Sequence, residues 1–133
     1  MADFRLLLPD GQGIIGSLDD SGHLTFVILA GENSPIRGTE MFDLMMRAFG
    51  EKVLGICGVW RKGYQGQPSV NVDKINELTG SGVRLEEAVL RTWTVTRASR
   101  WSYSKVTIIG IPDGIPGDFR KIDVLLKKAE DST

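Results

Sequence analysis

The stretch from residue 53 to residue 106 constrains the fold more than any other part of this sequence. Its pattern predicts a strand, a glycine-rich loop, three helices and a second strand, in that order. All three tryptophans, both tyrosines and eight of the sixteen Lys and Arg residues lie within it. The first strand, 53–60, is apolar almost throughout, which is typical of a central strand that is covered on both faces.

The flanking segments add strands and one more helix. From 4 to 29 the sequence predicts two or three antiparallel strands, because turn residues at 9–13 and 19–22 separate β-prone runs. The segment 39–49 predicts a helix with a continuous stripe of Met and Phe, and Gly50 is suited to end it. We interpret that stripe as core packing. Two last strands are predicted at 106–111 and 119–126, joined by the loop 112–118.

These elements predict a single α+β domain with one mostly antiparallel sheet of about five strands and three or four short helices. A chain of 133 residues has the length of one domain. Its predicted parts are an N-terminal hairpin at 1–30, a helix–strand–helices core at 39–106, a C-terminal strand pair at 106–126 and a tail at 127–133.

The composition excludes several classes of site. The formal net charge is −1, so any binding of nucleic acid must come from a local patch. The single cysteine, Cys57, and the single histidine, His23, leave no disulfide, zinc cluster or His-pair metal site. We therefore expect no metal and no cofactor. No apolar run reaches the length of a membrane span, and the N-terminus has no basic region of a signal peptide.

A cluster of cations and aromatic rings predicts an RNA-binding surface. Cations neutralise phosphates and aromatic rings stack on unpaired bases, which suits single-stranded or looped RNA. Core packing of the indoles, with solvated cations around them, explains the same pattern slightly better, because a helix face with Ala88, Val89 and Trp93 has to pack against the rest of the domain. Two groups make up the cluster: Arg91, Trp93, Arg97, Arg100, Trp101, Tyr103 and Lys105, and, in the glycine-rich loop, Trp60, Arg61, Lys62 and Tyr64. From these we assign substrate binding to Trp60, Tyr64, Arg97, Arg100 and Tyr103.

A metal-independent ribonuclease needs a base, a cation beside the phosphorane and an acid for the leaving oxygen. With one histidine in the chain, other polar side chains on loops and helix starts have to supply these groups. The candidate catalytic residues are Arg37, Glu40, Arg61, Lys62, Asn71 and Asp73. The sequence therefore favours a nuclease acting on RNA, with both cationic groups around one cleft.

Two other functions remain open. The order Arg37, then Thr92-Trp93-Thr94, then Glu130 matches the arginine, Ser/Thr-x-Ser/Thr, glutamate order of ADP-ribosyltransferases, which hold NAD. In this sequence the threonines fit a helix end better than the strand that this arrangement requires. The third alternative is a non-enzymatic binding or immunity-type module that uses the Met-rich helix.

The segment 36–126 resembles C-terminal toxin modules of bacterial polymorphic toxins, of the Rhs-repeat and contact-dependent inhibition type. The matching pieces are IRGTEMFDLMMRAFGEKV, GICGVW, NVDKINELTGSG, LEEAVLRTWT and the ending from PGDF to VLL. Two glycines expected from this resemblance are Val95 and Ser102 here, which bears on the turn between the last helix and the next strand.

The resemblance implies an effector that is toxic to competing bacteria, either a nuclease or an enzyme that uses NAD. It also implies a cognate immunity protein as partner, and delivery of the effector from the producing cell into the cytoplasm of a target cell. No catalytic residue is carried over from it.

Overall fold

The computed structural model describes residues 2–29, 38–63 and 70–129. They form an α+β fold with one mixed, mostly antiparallel sheet in the order β1-β2-β3-β4-β6-β5. The fold class is therefore confirmed, with six strands in the described ranges where about five were predicted. The strands are β1 (Ala2–Leu7), β2 (Gly13–Leu18), β3 (His23–Leu29), β4 (Gly55–Arg61), β5 (Lys105–Ile115) and β6 (Asp118–Lys127). The helices are α1 (Gly38–Phe49), α2 (Val70–Gly80), α3 (Leu85–Leu90) and α4 (Trp93–Ser99), and a 3₁₀ turn at Gly50–Lys52 follows α1.

The chain forms two compact units, Met1–Ile56 and Cys57–Thr133. In the first unit, β1, β2 and β3 form an antiparallel meander, as the turn residues predicted. The Met and Phe side chains of α1 are buried against it, and the rings of Phe26 and Phe42 meet edge to face at 5.3 Å. Gly16 allows this approach, since a Cβ there would lie 2.5 Å from the sulfur of Met45. The interpretation of the stripe as core packing is confirmed.

In the second unit, α2 is bonded to the tip of the β5–β6 hairpin. The amide of Asn76 donates to the carbonyl of Phe119 at 3.0 Å and accepts from its N–H at 2.7 Å. The hydroxyl of Thr79 accepts from Gly117 N–H at 2.9 Å and donates to the Ile75 carbonyl at 2.8 Å. Asn76 and Thr79 thus bond to backbone groups of Phe119 and Gly117, and so they fix α2 on the hairpin.

One strand boundary differs from the sequence prediction. The strand predicted at 106–111 continues to Ile115, because a bulge between Ile109 and Asp113 absorbs the Gly110–Pro112 segment instead of ending the strand. Helix α3 ends at Leu90, and Thr92 is the N-cap of α4. The Thr92 hydroxyl donates to the Val89 carbonyl and accepts from Val95 N–H, which stops one helix and starts the next.

Candidate nucleic-acid interface

The turn between α4 and β5 lies beside the end of β6. Ser102 has a φ of 73°, and Tyr103 N–H donates to the Ala98 carbonyl at 3.1 Å, so the chain reverses directly after the helix. Beyond β6, Ala129 N–H donates to the Ser102 carbonyl at 2.9 Å. The end of the chain's last strand is thereby held next to the end of α4.

Four cationic residues lie near one another along the backbone at this place, which we call the basic corner: Arg100, Lys105, Lys127 and Lys128. Lys105 and Lys127 are direct cross-strand partners, and both are exposed. Arg100 and Lys128 flank the Ser102–Ala129 hydrogen bond, two residues and one residue away from it along the chain. The corner is therefore built from three elements of the second unit, α4, β5 and β6.

The segments that form the basic corner are rich in cations. Lys105 and Lys127 lie directly opposite each other in the sheet, and like charges in that position repel. The sequence carries no Asp or Glu from 88 to 112, a stretch with four cations. The carboxylates at 130 and 131 lie outside the described residues. An anionic ligand is what such a corner can accommodate with a gain in free energy.

Tyr103, assigned above to substrate binding, lies beneath this corner. Its side chain is only 2 % exposed, and the ammonium of Lys128 lies 5.6 Å from the centre of its ring. A base cannot stack on a ring buried in this way. Burial raises the pKa of the Tyr103 phenol above its ordinary value, so at neutral pH it is protonated and does not serve as a general base.

In the other predicted cationic group, Arg61 lies beside the middle of β6 and Lys62 lies at the end of the hairpin opposite the basic corner. The Arg61 guanidinium binds the Asp123 carboxylate at 2.7 Å, and the Lys62 ammonium binds Asp118 at 3.1 Å. Asp118 begins β6 and Lys127 ends it. Nine residues of extended strand correspond to roughly 30 Å, so Lys62 and the basic corner do not line a single compact cleft. The predicted position of Lys62 around one cleft with the second group is therefore wrong.

Asn71, a candidate catalytic residue, joins two helices. Its side-chain amide donates to the Thr94 hydroxyl at 2.8 Å and accepts from Thr94 N–H at 3.2 Å. Asn71 therefore satisfies a backbone donor at the start of α4. With both ends of its amide bonded, Asn71 is a residue that positions α4.

We expect Asn71→Ala to lower the free energy of unfolding by about 1–2 kcal/mol, because the Thr94 N–H loses its partner. Urea unfolding followed by circular dichroism measures this. Thr96, exposed on α4, provides a matched control: Thr96→Ala should change the free energy of unfolding by less than about 0.5 kcal/mol. An equal loss in both variants would contradict the capping role.

The remaining predicted site residues are dispersed. Asp73 is exposed in the first turn of α2, and Glu40 is exposed in the first turn of α1, in the other compact unit. Trp60 is 8 % exposed, and its indole lies over Gly58, where a Cβ would be 2.7 Å from the ring nitrogen. That ring is therefore closed to a nucleobase. Arg97 is half-buried on α4, and Arg37 and Tyr64 lie outside the described residues.

The ADP-ribosyltransferase arrangement also lacks its central strand. Thr92 is a helix N-cap and Thr94 lies in the first turn of α4, and both side chains are buried. Arg37 and Glu130 lie outside the described residues. The described geometry thus offers this alternative no specific support.

Sequence reasoning missed Lys127 and Lys128, which it assigned to a polar tail. The signal that could have found them is the pairing of the last two predicted strands. In an antiparallel pair, the residue that follows the second strand lies beside the residue that precedes the first. Extending the predicted strands by one residue brings Lys105 and Lys127 together.

The described residues define an α+β protein with a cationic surface site. Among them, no group of three or more His, Cys, Asp or Glu side chains is placed to hold a metal ion, and no helix is long and apolar enough to cross a membrane. Comparison with protein-family models, with curated proteins and with solved structures finds no match for this chain.

Proposed function

We propose that the protein is a toxin effector that acts on RNA and binds RNA phosphates at the basic corner. The observation that carries this proposal is the cross-strand Lys105–Lys127 pair, with Arg100 and Lys128 beside it. Two exposed ammonium groups that lie side by side can both contact one anion, and each contact is favourable. A phosphate chain offers successive anions, and so it can engage several of these cations together.

The chemistry of cleavage is the further step of this proposal. In a metal-independent reaction the ribose 2′-OH gives its proton to a base and attacks the adjacent phosphorus, while the bond from phosphorus to the 5′-oxygen breaks and a 2′,3′-cyclic phosphate forms. Cations stabilise the charge that develops on the phosphoryl oxygens. The corner supplies such cations, and an ammonium group can also protonate the leaving oxygen. Its described residues include no carboxylate or imidazole base, so the binding of RNA is the better supported part of the proposal.

Binding to a fluorescent single-stranded RNA should fall steeply with salt. Four phosphate contacts on a single strand predict a slope of about −3 for log K against log salt concentration. Fluorescence anisotropy between about 50 and 200 mM salt measures it. Lys127→Ala is expected to make the slope shallower by about 0.7. Lack of RNA binding at low salt would remove the proposal.

Cleavage is tested separately, by incubating total RNA or tRNA with the protein in the presence of a chelator of divalent metals. Fragments that appear with the wild-type protein and not with Lys105→Ala/Lys127→Ala support a nuclease. RNA that is bound but stays intact at stoichiometric protein reduces the function to RNA binding.

A further inference from the structure

The two outer strands of the described sheet, β1 and β5, differ in how regular they are. β5 contains a bulge between Ile109 and Asp113, and Gly110 within it has a φ of 69°. A bulge of this kind twists the edge of a sheet and hinders the addition of another strand. β1 pairs with β2 from Ala2 to Leu7 without a register shift, so its outer edge is regular and can accept a further strand.

The backbone groups at the outer edge of β1 belong to every second residue. Leu8 N–H donates to the Gln12 carbonyl at 2.8 Å, which places Leu8 in a hydrogen-bonded position of the hairpin. Because this position recurs at every second residue of an antiparallel pair, the even-numbered residues of β1 turn their N–H and C=O toward β2. The N–H and C=O of Asp3, Arg5 and Leu7 therefore point away from β2, toward the outer edge.

The side chains along this edge carry one charge of each sign. Asp3 and Arg5 are both exposed, and they point to the same face of the sheet because they are two residues apart. Arg5 makes no ion pair with any other residue of the described ranges. Asp3 accepts a hydrogen bond from the Ser17 hydroxyl at 3.0 Å. That hydroxyl is neutral, so the carboxylate keeps its charge and can still bind a cation.

One antiparallel register of β1 with a second copy of itself brings unlike charges together. When Phe4 lies opposite Phe4 of the second copy, each Asp3 lies opposite the Arg5 of the other copy. The outward N–H and C=O groups of these two residues then pair across the contact. A register changed by two residues in either direction places Asp3 opposite Asp3 or Arg5 opposite Arg5, and like charges in that position repel.

The same register matches the apolar side chains on the other face of β1. Phe4 and Leu6 are half-buried on the face where the Phe4 ring meets the ring of Phe49 at 6.3 Å. In the second copy their partners are Phe4 and Ala2, so an aromatic cross-strand pair forms at the centre of the contact. Both faces of the strand thus favour the register that pairs the charges.

We propose that two copies of this chain pair through β1, with Phe4 at the two-fold axis and two reciprocal Asp3–Arg5 ion pairs. Each copy uses the same edge, so the assembly closes at two chains. β1 has six residues, whereas a stable interface has about 20–30 on each side, so we expect a dissociation constant on the order of 100 µM. This inference does not depend on RNA binding.

Sedimentation equilibrium between about 10 µM and 1 mM protein tests the inference, because this range brackets the expected dissociation constant. The mass of the wild-type protein should rise from that of one chain toward that of two. Arg5→Glu and Asp3→Arg each turn both attractive pairs into repulsive ones, and each should weaken the dimer by at least about tenfold. An equimolar mixture of these two variants should associate about as well as the wild type, because positions 3 and 5 again carry opposite charges across the contact.

Arg84→Glu is the matched control, since its change in net charge equals that of Arg5→Glu and Arg84 is 85 % exposed between α2 and α3. It should dimerise like the wild type. Asp3 and Arg5 are exposed, so the variants should remain folded, and their urea unfolding midpoints check this. A wild-type protein that keeps the mass of one chain at about 1 mM overturns the inference. So does a mixture of the two charge variants that does not associate, or a dimer that Arg5→Glu leaves unchanged.

Discussion

Lys127→Glu is expected to make the protein more stable and at the same time to weaken RNA binding by about 100-fold. The carboxylate introduced at position 127 faces Lys105, so a repulsive cross-strand pair becomes an attractive one. Such pairs contribute about 0.2–1 kcal/mol, which is the expected rise in the free energy of unfolding. The same change removes a charge-assisted phosphate contact and adds repulsion, together about 3 kcal/mol of binding free energy at low salt.

Because stability is expected to rise while RNA affinity falls, the two measurements together test this prediction. Urea unfolding gives the stability, and fluorescence anisotropy with a twelve-nucleotide RNA gives the affinity. Lys74→Glu is the control, because Lys74 is partly exposed on α2 and the change in net charge is identical. It should lower RNA affinity by no more than about threefold through the long-range field. Similar losses of affinity in both variants would show that net charge, and not the basic corner, governs binding.

The sequence predicts the elements of this fold well because the patterns that define them are local. Turn residues separate the first three strands, and the spacing of Met and Phe marks the buried side of α1. The residues at which these helices and strands begin and end are less predictable. Pro112 and Gly114 are ordinary signals for a loop, and yet a bulge holds that segment within β5. Whether such residues end a strand or bulge from it depends on the partner strand.

The candidate site was harder to predict, since its residues come together only through long-range pairing. Lys105 and Lys127 are adjacent because of the hairpin register, which the sequence does not display. Arg61 and Lys62 appear in the sequence as available cations, whereas the structure pairs them with Asp123 and Asp118 on a strand that lies far away in the chain. The sequence shows which cationic residues are present. Tertiary pairing determines which of them lie close together and which are paired with carboxylates.

Asn76→Ala should produce the largest loss of stability among the variants considered, about 3 kcal/mol. One side-chain amide pairs both the N–H and the carbonyl of Phe119, whose side chain is 6 % exposed. Truncation leaves two partly buried backbone groups without these partners, and each such loss costs about 1–3 kcal/mol. The expected result is a lower urea midpoint with an unchanged dependence of the unfolding free energy on urea.

Two further variants separate the hydrogen bonds of Asn76 from the general effect of changing α2. Glu77→Ala alters the next residue, whose carboxylate is exposed and only 3.9 Å from Lys74, and should cost less than about 0.5 kcal/mol. Asn76→Asp keeps the size and the acceptor for Phe119 N–H but turns an oxygen toward the Phe119 carbonyl. It should therefore destabilise the protein at neutral pH and recover part of the loss when acid protonates the carboxyl group, because the protonated oxygen donates again. A stability of Asn76→Asp equal to that of the wild type would show that the bond to the Phe119 carbonyl contributes nothing.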